Sequence, residues 1–137
     1  MDLVYKEEAY KIIGCAMKVH AELGPGFLES VYHEALEIMF QLEGIPYKHE
    51  PIMKVEFLGH ILKREHIPDF TCYDKVIVEL KAQDDLIGIN RAQTISYLKA
   101  SKYKLGILIN FGAEHLQHER LVRNITNWGE LSTNLTN

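Results

Sequence analysis

Residues 68–81 read P-D-F-T-C-Y-D-K-V-I-V-E-L-K, and within them Asp69, Glu79 and Lys81 stand at a spacing that can do chemistry. Val76, Ile77 and Val78 form a β-branched run, which favours a strand with at least one buried face. Side chains alternate along a strand, so Glu79 and Lys81 share a face while Val76, Val78 and Leu80 share the other. A carboxylate and an ammonium on an apolar strand need partners, because an unpaired buried charge is costly. Asp69 supplies one if the preceding segment, also a strand, pairs back on this one. Register decides the outcome. A strict two-residue turn at Asp74 and Lys75 sets Asp69 against Leu80, on the wrong face. A three-residue loop over 73–75, or a bulge, sets Asp69 against Glu79, and that is the expectation. Two carboxylates that close repel each other and invite a divalent cation.

Further residues of chemical interest surround this segment. Gln93 and Tyr97 lie at i and i+4 of an expected helix and present together on one face. Gly26, Glu29 and Tyr32 open an earlier expected helix with the spacing G-x-x-E-x-x-Y. Residues 105–112, L-G-I-L-I-N-F-G, read as a buried strand. With Pro68, Asp69, Glu79 and Lys81, these motifs occur in an order that resembles the PD-(D/E)xK nuclease superfamily. Gln93 and Tyr97 are similar to the QxxxY motif of its RecB-like exonuclease branch, and the Gly26–Glu29–Tyr32 spacing to the GxxExxY family. The resemblance spans residues 12–122. It implies a restriction-endonuclease-like αβββαβ core, a mixed sheet flanked by helices, with an extra N-terminal helix. It also implies Mg²⁺ or Mn²⁺ held by Asp69, Glu79 and the backbone carbonyl of Leu80. Lys81 would orient or deprotonate the attacking water, or stabilise the transition state. Glu29 would assist the metal, and Gln93, Tyr97 and Tyr32 would shape the site or meet the substrate.

The elements that must position these groups follow from periodicity. Residues 7–23 repeat Ile12, Ala16, Val19 and Leu23 at helical spacing, and Gly24, Pro25 and Gly26 end the run. Residues 28–42 form a second amphipathic helix, with Gly44 as its C-terminal cap. A short edge strand is expected at 47–49 and an alternating, half-buried strand at 52–57, followed by a turn at 58–60. Pro68 marks a strand edge or bulge. Asp84 and Asp85 belong to a loop or helix cap. A helix over 89–102 crosses to a central strand at 105–111, parallel to its predecessor, and 116–122 forms a last edge strand. The domain is read as 1–124, with 125–137 a frayed tail in which Trp128 and Leu131 could dock.

Composition bounds the alternatives. The chain has 137 residues, enough for one core, and its 47% hydrophobic content is that of a soluble globular domain. No apolar run reaches the ~20 residues that span a bilayer, and a cytoplasmic protein without membrane contact is expected. The net charge of −4 opposes strong non-specific binding to nucleic acid but not a metal site, which is itself acidic. Each motif also has a plainer reading. Glu29 suits the first turn of any helix. Gln93 and Tyr97 suit a surface pair at the core rim. Lys63, Arg64, Lys99, Lys102 and Lys104 suit solvated faces, and Cys15 and Cys72 suit buried free thiols. His115 and His118 lack partners at zinc-site spacing, and no nucleophile elbow or phosphate-binding loop occurs. Two functions follow: a metal-dependent nuclease acting on nucleic acid, or a catalytically inactive module on the same fold that binds nucleic acid or protein. So small a chain offers limited surface to a duplex, which leaves room for a homodimer.

Overall fold

The computed structural model describes residues 3–123 and 131–134. The chain begins with a helical hairpin, α1 (Lys6–Leu23) and α2 (Glu29–Leu42). Next come β1 (Tyr47–His49), β2 (Met53–Phe57), β3 (His60–His66), β4 (Phe70–Cys72) and β5 (Val76–Lys81). Then α3 (Gly88–Ser101) leads to β6 (Leu105–Asn110), β7 (Gln117–Arg123) and β8 (Leu131–Asn134). Six strands form one sheet in the order β1-β4-β5-β6-β7-β8. Only β5 and β6 run parallel, joined by the α3 crossover, and the other neighbours are antiparallel. Among the described residues no helix is long and apolar enough to cross a membrane.

Alternation sorts β5 into two cores. Val76, Val78 and Leu80 join Leu105, Ile107 and Ile109 under α1 and α2, where Ile12, Tyr32, Leu36 and Phe40 are fully buried. Ile77 faces the opposite layer and packs with Tyr97 and Leu98 of α3 and with Leu121. Each such side chain stabilises the fold by roughly 1.5–3 kcal/mol through burial. Cys15 and Cys72 are buried free thiols, and burial raises both pKa values, that of Cys15 to about 11. Helix α2 ends in a Schellman motif: Ile45 N–H donates to Phe40 O (2.9 Å) and Gly44 N–H to Gln41 O (3.3 Å), with Gly44 at φ 68°. On the α1 side of the sheet, Arg120 is 2% exposed, and its guanidinium donates to Val4 O at 2.6 Å.

Two parts of the topology differ from expectation. Residues 61–66 form a strand, and it pairs with β2 in a separate two-stranded sheet. The consecutive strands β2 and β3 are therefore a hairpin inserted between β1 and β4 of the main sheet. Leu58 and Gly59, both at positive φ, make its two-residue turn. Its base rests on α3, with the His66 and Tyr97 rings edge to face at 4.9 Å. The β3 sequence H-I-L-K-R-E-H lacks a period-2 apolar pattern because neither of its faces is buried in the main core. The second difference is that β7 is not an edge strand: Leu131–Asn134, within the expected tail, pairs with it. Trp128 lies outside the described residues.

Candidate metal centre

The β4–β5 hairpin delivers the register the acids require. Phe70 pairs with Val78, Thr71 with Ile77 and Cys72 with Val76, which leaves Tyr73, Asp74 and Lys75 as the connecting loop. Tyr73 (φ 58°) and Asp74 (φ 55°) are both left-handed, and Lys75 N–H donates to Cys72 O at 3.1 Å. That is the backbone of a tight primed turn followed by one extra residue, so no bulge is needed beside Asp69. The same register carried one pair further sets Asp69 opposite Glu79.

The two carboxyls interlock through the backbone. Asp69 N–H donates to Glu79 Oε1 (3.1 Å), and Leu80 N–H donates to Asp69 Oδ2 (2.7 Å). Glu79 is 3% exposed. Burial, and then the charge of Asp69, push its pKa up from 4.5 to about 9. Burial also raises the pKa of Asp69, against the pull of the Leu80 amide and of His33. The pair therefore holds a proton at neutral pH where an ordinary pair of acids holds none. A site that strains to ionise, walled by oxygen donors, is chemically matched to a hard divalent cation.

Helix α2 brings a second set of donors to Asp69. Glu29, His33 and Asp69 offer ligand atoms that all lie within 4.8 Å of one another. His33 Nε2 stands 3.7 Å from Asp69 Oδ1 and 4.0 Å from Glu29 Oε1. The Glu29 carboxylate first, then the Asp69 charge, raise the pKa of His33 against its own burial. His33 was not among the residues singled out in the sequence. Its only local signal is its place one turn after Glu29, since Asp69 is thirty-six residues further on. Glu34, the next acid on this helix, is exposed.

Helix α3 serves the site from the opposite layer. Lys81 Nζ donates to Gln93 Oε1 at 3.1 Å, so Gln93 fixes the ammonium on the Glu79 face of β5. Tyr97 is 9% exposed, and its hydroxyl donates to Ile67 O at 3.4 Å, two residues before Asp69. Burial, and then the charges of Glu79 and Asp69, push its phenol pKa up. Gln93 and Tyr97 thus hold other groups in place. They do not form the free surface pair of the plainer reading.

Tyr32 does not reach the acids. It is fully buried, stacks on Phe111 at 4.7 Å, donates to Gly24 O (2.6 Å) and accepts from Phe27 N–H (3.2 Å). Of the two expected roles, shaping the site or meeting substrate, full burial agrees with the first: Tyr32 locks the turn that feeds α2. Within that turn Gly26 adopts φ 110°, a conformation that side chains rarely allow. The G-x-x-E-x-x-Y spacing thus joins a turn, a donor at the first position of α2 and the clamp that fixes both. Asp84 and Asp85 are not the α3 cap, which is Ile87, and Asp85 Oδ1 accepts from Gln117.

The carboxyl ends of β5 and β6 are stapled beside the site. Asn110 is fully buried, and its Oδ1 accepts from Gln83 N–H (3.0 Å) and Gly112 N–H (3.1 Å). Its Nδ2 donates to Gln83 O (2.8 Å) and Gln117 Oε1 (2.9 Å). Gly112 passes so close that a Cβ there would lie 2.3 Å from Gln83 N.

A family model described as the PD-(D/E)XK nuclease superfamily matches residues 6–123. The crystal structure of SSO0001 superposes with a TM-score of 0.53 at 16% identity, covering 85% of this chain. The match spans 56% of the SSO0001 chain, and at that identity it speaks to the fold. No curated protein matches the sequence.

Proposed function

The chain belongs to the PD-(D/E)XK nuclease superfamily, and from that premise we propose that it is a divalent-metal-dependent nuclease of the GxxExxY branch, hydrolysing phosphodiester bonds of nucleic acid. The observation that carries the reading is the Asp69–Glu79 pair, interlocked at 3.1 and 2.7 Å, with Lys81 on the same face of β5. Asp69, Glu79 and the carbonyl of Leu80 would hold Mg²⁺ or Mn²⁺, with His33 and Glu29 completing the donor set. A bound ion of this class supplies Lewis acidity and positive charge to a scissile phosphate. Lys81, steadied by Gln93, would orient the attacking water and offset the charge that develops on phosphorus. Tyr97 would keep Asp69 in register through Ile67. The acids themselves repel a phosphate backbone, so substrate approach depends on loading of the site.

Cleavage of end-labelled single- and double-stranded DNA and RNA, with Mg²⁺ or Mn²⁺, tests this. Asp69→Asn and Lys81→Ala should each lower the rate at least ~100-fold. Mn²⁺ binding should be lost in Asp69→Asn and kept in Lys81→Ala. A folded, Mn²⁺-loaded protein that cuts none of these substrates refutes the activity. Nucleic-acid or protein binding that survives both EDTA and Lys81→Ala would instead mark an inactive accessory module on this fold.

A further inference from the structure

A second donor cluster adjoins the acid pair and has a different chemistry. His33, His49 and Glu50 offer ligand atoms within 4.8 Å of one another, on a cleft that also takes in Glu29, Glu34 and Glu37. Helix α2 supplies His33, while β1 and the residue after it supply His49 and Glu50. The position of Glu50 is fixed because its N–H donates to Asp69 O at 2.8 Å and its φ is 52°.

The two imidazoles face each other through one nitrogen each. His33 Nδ1 and His49 Nε2 stand 2.9 Å apart, and Glu50 Oε1 lies 3.3 Å from the same His49 nitrogen. Their remaining nitrogens both face carboxylates. His33 Nε2 lies 3.7 Å from Asp69 Oδ1, and His49 Nδ1 lies 3.6 Å from Glu37 Oε2. Glu37 is itself held by the Tyr47 hydroxyl, which donates to its Oε1 at 3.0 Å. A carboxylate behind each ring, with the opposite nitrogens converging, is how proteins orient histidines on a transition metal. At zinc–nitrogen distances of 2.0–2.1 Å, tetrahedral ligands lie about 3.3 Å apart. The His33–His49 nitrogen pair, now at hydrogen-bond distance, is about 0.4 Å short of that spacing, and the rings would turn their lone pairs onto the ion as they part.

We propose that His33 Nδ1, His49 Nε2 and Glu50 Oε1 form a transition-metal site of the zinc class, with one position open to the cleft, and that its occupancy removes His33 from the Asp69 centre. The competition follows from the imidazole itself. A neutral ring has one lone pair to give, so a ring that binds through Nδ1 carries its proton on Nε2. That proton then points at Asp69 and Glu29, where it can donate to a carboxylate but cannot ligate an ion. Nitrogen donors also select the zinc class over magnesium, which prefers oxygen and octahedral geometry. Metal binding here stands apart from the nuclease reading, and only the competition with the Asp69 centre rests on it.

The test is titration of the full chain with Zn²⁺ by calorimetry, and with Co²⁺ followed by visible absorption. One ion should bind with nitrogen-ligand character. His49→Ala and the bulkier His49→Gln should each weaken Zn²⁺ at least ~100-fold, and Glu37→Gln by roughly 10–100-fold. Circular dichroism melts confirm that the variants fold. Glu79→Gln, which leaves all these donors in place, should keep Zn²⁺ affinity within a few-fold while losing Mn²⁺. Zn²⁺ affinity unchanged in both His49 variants overturns the proposal. So does Zn²⁺ binding that disappears in Glu79→Gln but persists in the His49 variants, because the ion then belongs to the acid pair. None of these readouts depends on cleavage. If Zn²⁺ binds as described and no substrate is cut, the site stands and the nuclease reading falls.

Discussion

Glu79→Gln should make the metal-free fold more stable at neutral pH, although it removes an acid from the centre of the site. Glu79 has its pKa raised from 4.5 to about 9, first by burial and then by the Asp69 charge. An acid with a raised folded pKa contributes its stability in full below the unfolded value near 4.5. That stability is lost progressively as pH climbs toward the folded value. Each pH unit in that window costs about 1.4 kcal/mol, so the loss is on the order of 3 kcal/mol by pH 7 and 6 kcal/mol by pH 9. The substituted amide would stay neutral throughout, while its oxygen could still accept the Asp69 N–H that Glu79 Oε1 accepts now. Urea unfolding at pH 5, 7 and 8.5 in EDTA measures the difference. The two proteins should be close at pH 5 and diverge by about 3 kcal/mol at pH 7, with the variant the more stable. Saturating Mn²⁺ should restore much of the gap in the wild type and none in the variant, because the cation takes the proton's place. Unfolding curves that stay parallel from pH 5 to 8.5 would mean that Glu79 is already ionised at little cost, and the account of a proton-holding acid pair would fail.

Two further outcomes follow from the scaffold. Tyr32→Phe keeps the stacking on Phe111 but strips the hydroxyl from Gly24 O and Phe27 N. It should cost about 1–3 kcal/mol by urea titration and weaken Mn²⁺ binding as the start of α2 loosens. Tyr32→Phe protein with wild-type stability and Mn²⁺ affinity would show that the clamp is idle. Gly112→Ala forces a Cβ to 2.3 Å from the Gln83 backbone. It should destabilise by about 1–3 kcal/mol or more, with amide exchange quickening first at Gln83 and Gly112; an unchanged melting temperature would contradict the close approach.

What the sequence made legible is what local pattern encodes. The 3.6-residue repeat of Ile12, Ala16 and Val19 predicted α1, and the β-branched run at Val76 predicted β5 together with the face that Glu79 and Lys81 share. The three-residue loop over 73–75 was one of two expectations, the other a bulge, that put Asp69 opposite Glu79, and the structure has the loop. β2 was read from its alternation, but β3, and with it the hairpin, escaped because a strand exposed on both faces carries no alternation to read. His33 escaped for another reason: its meaning lies in the distance to Asp69, which exists only after α2 packs on the sheet. Of the two roles expected of Tyr32, shaping the site or meeting substrate, its burial against Phe111 and its part in a capped turn agree with the first.

The bond from Arg120 to the Val4 carbonyl bears on how the chain reaches its native state. It joins positions 116 residues apart. Closing a flexible loop of that size costs about 4 kcal/mol of chain entropy if nothing else has formed. The contact therefore belongs to the last events of folding, once the intervening helices and strands have shortened the gap. It also gives the short segment ahead of α1 an obligation. Trim away Val4, and a cation sealed within the domain loses that acceptor, so unfolding should begin where the first and the late-formed parts of the chain meet.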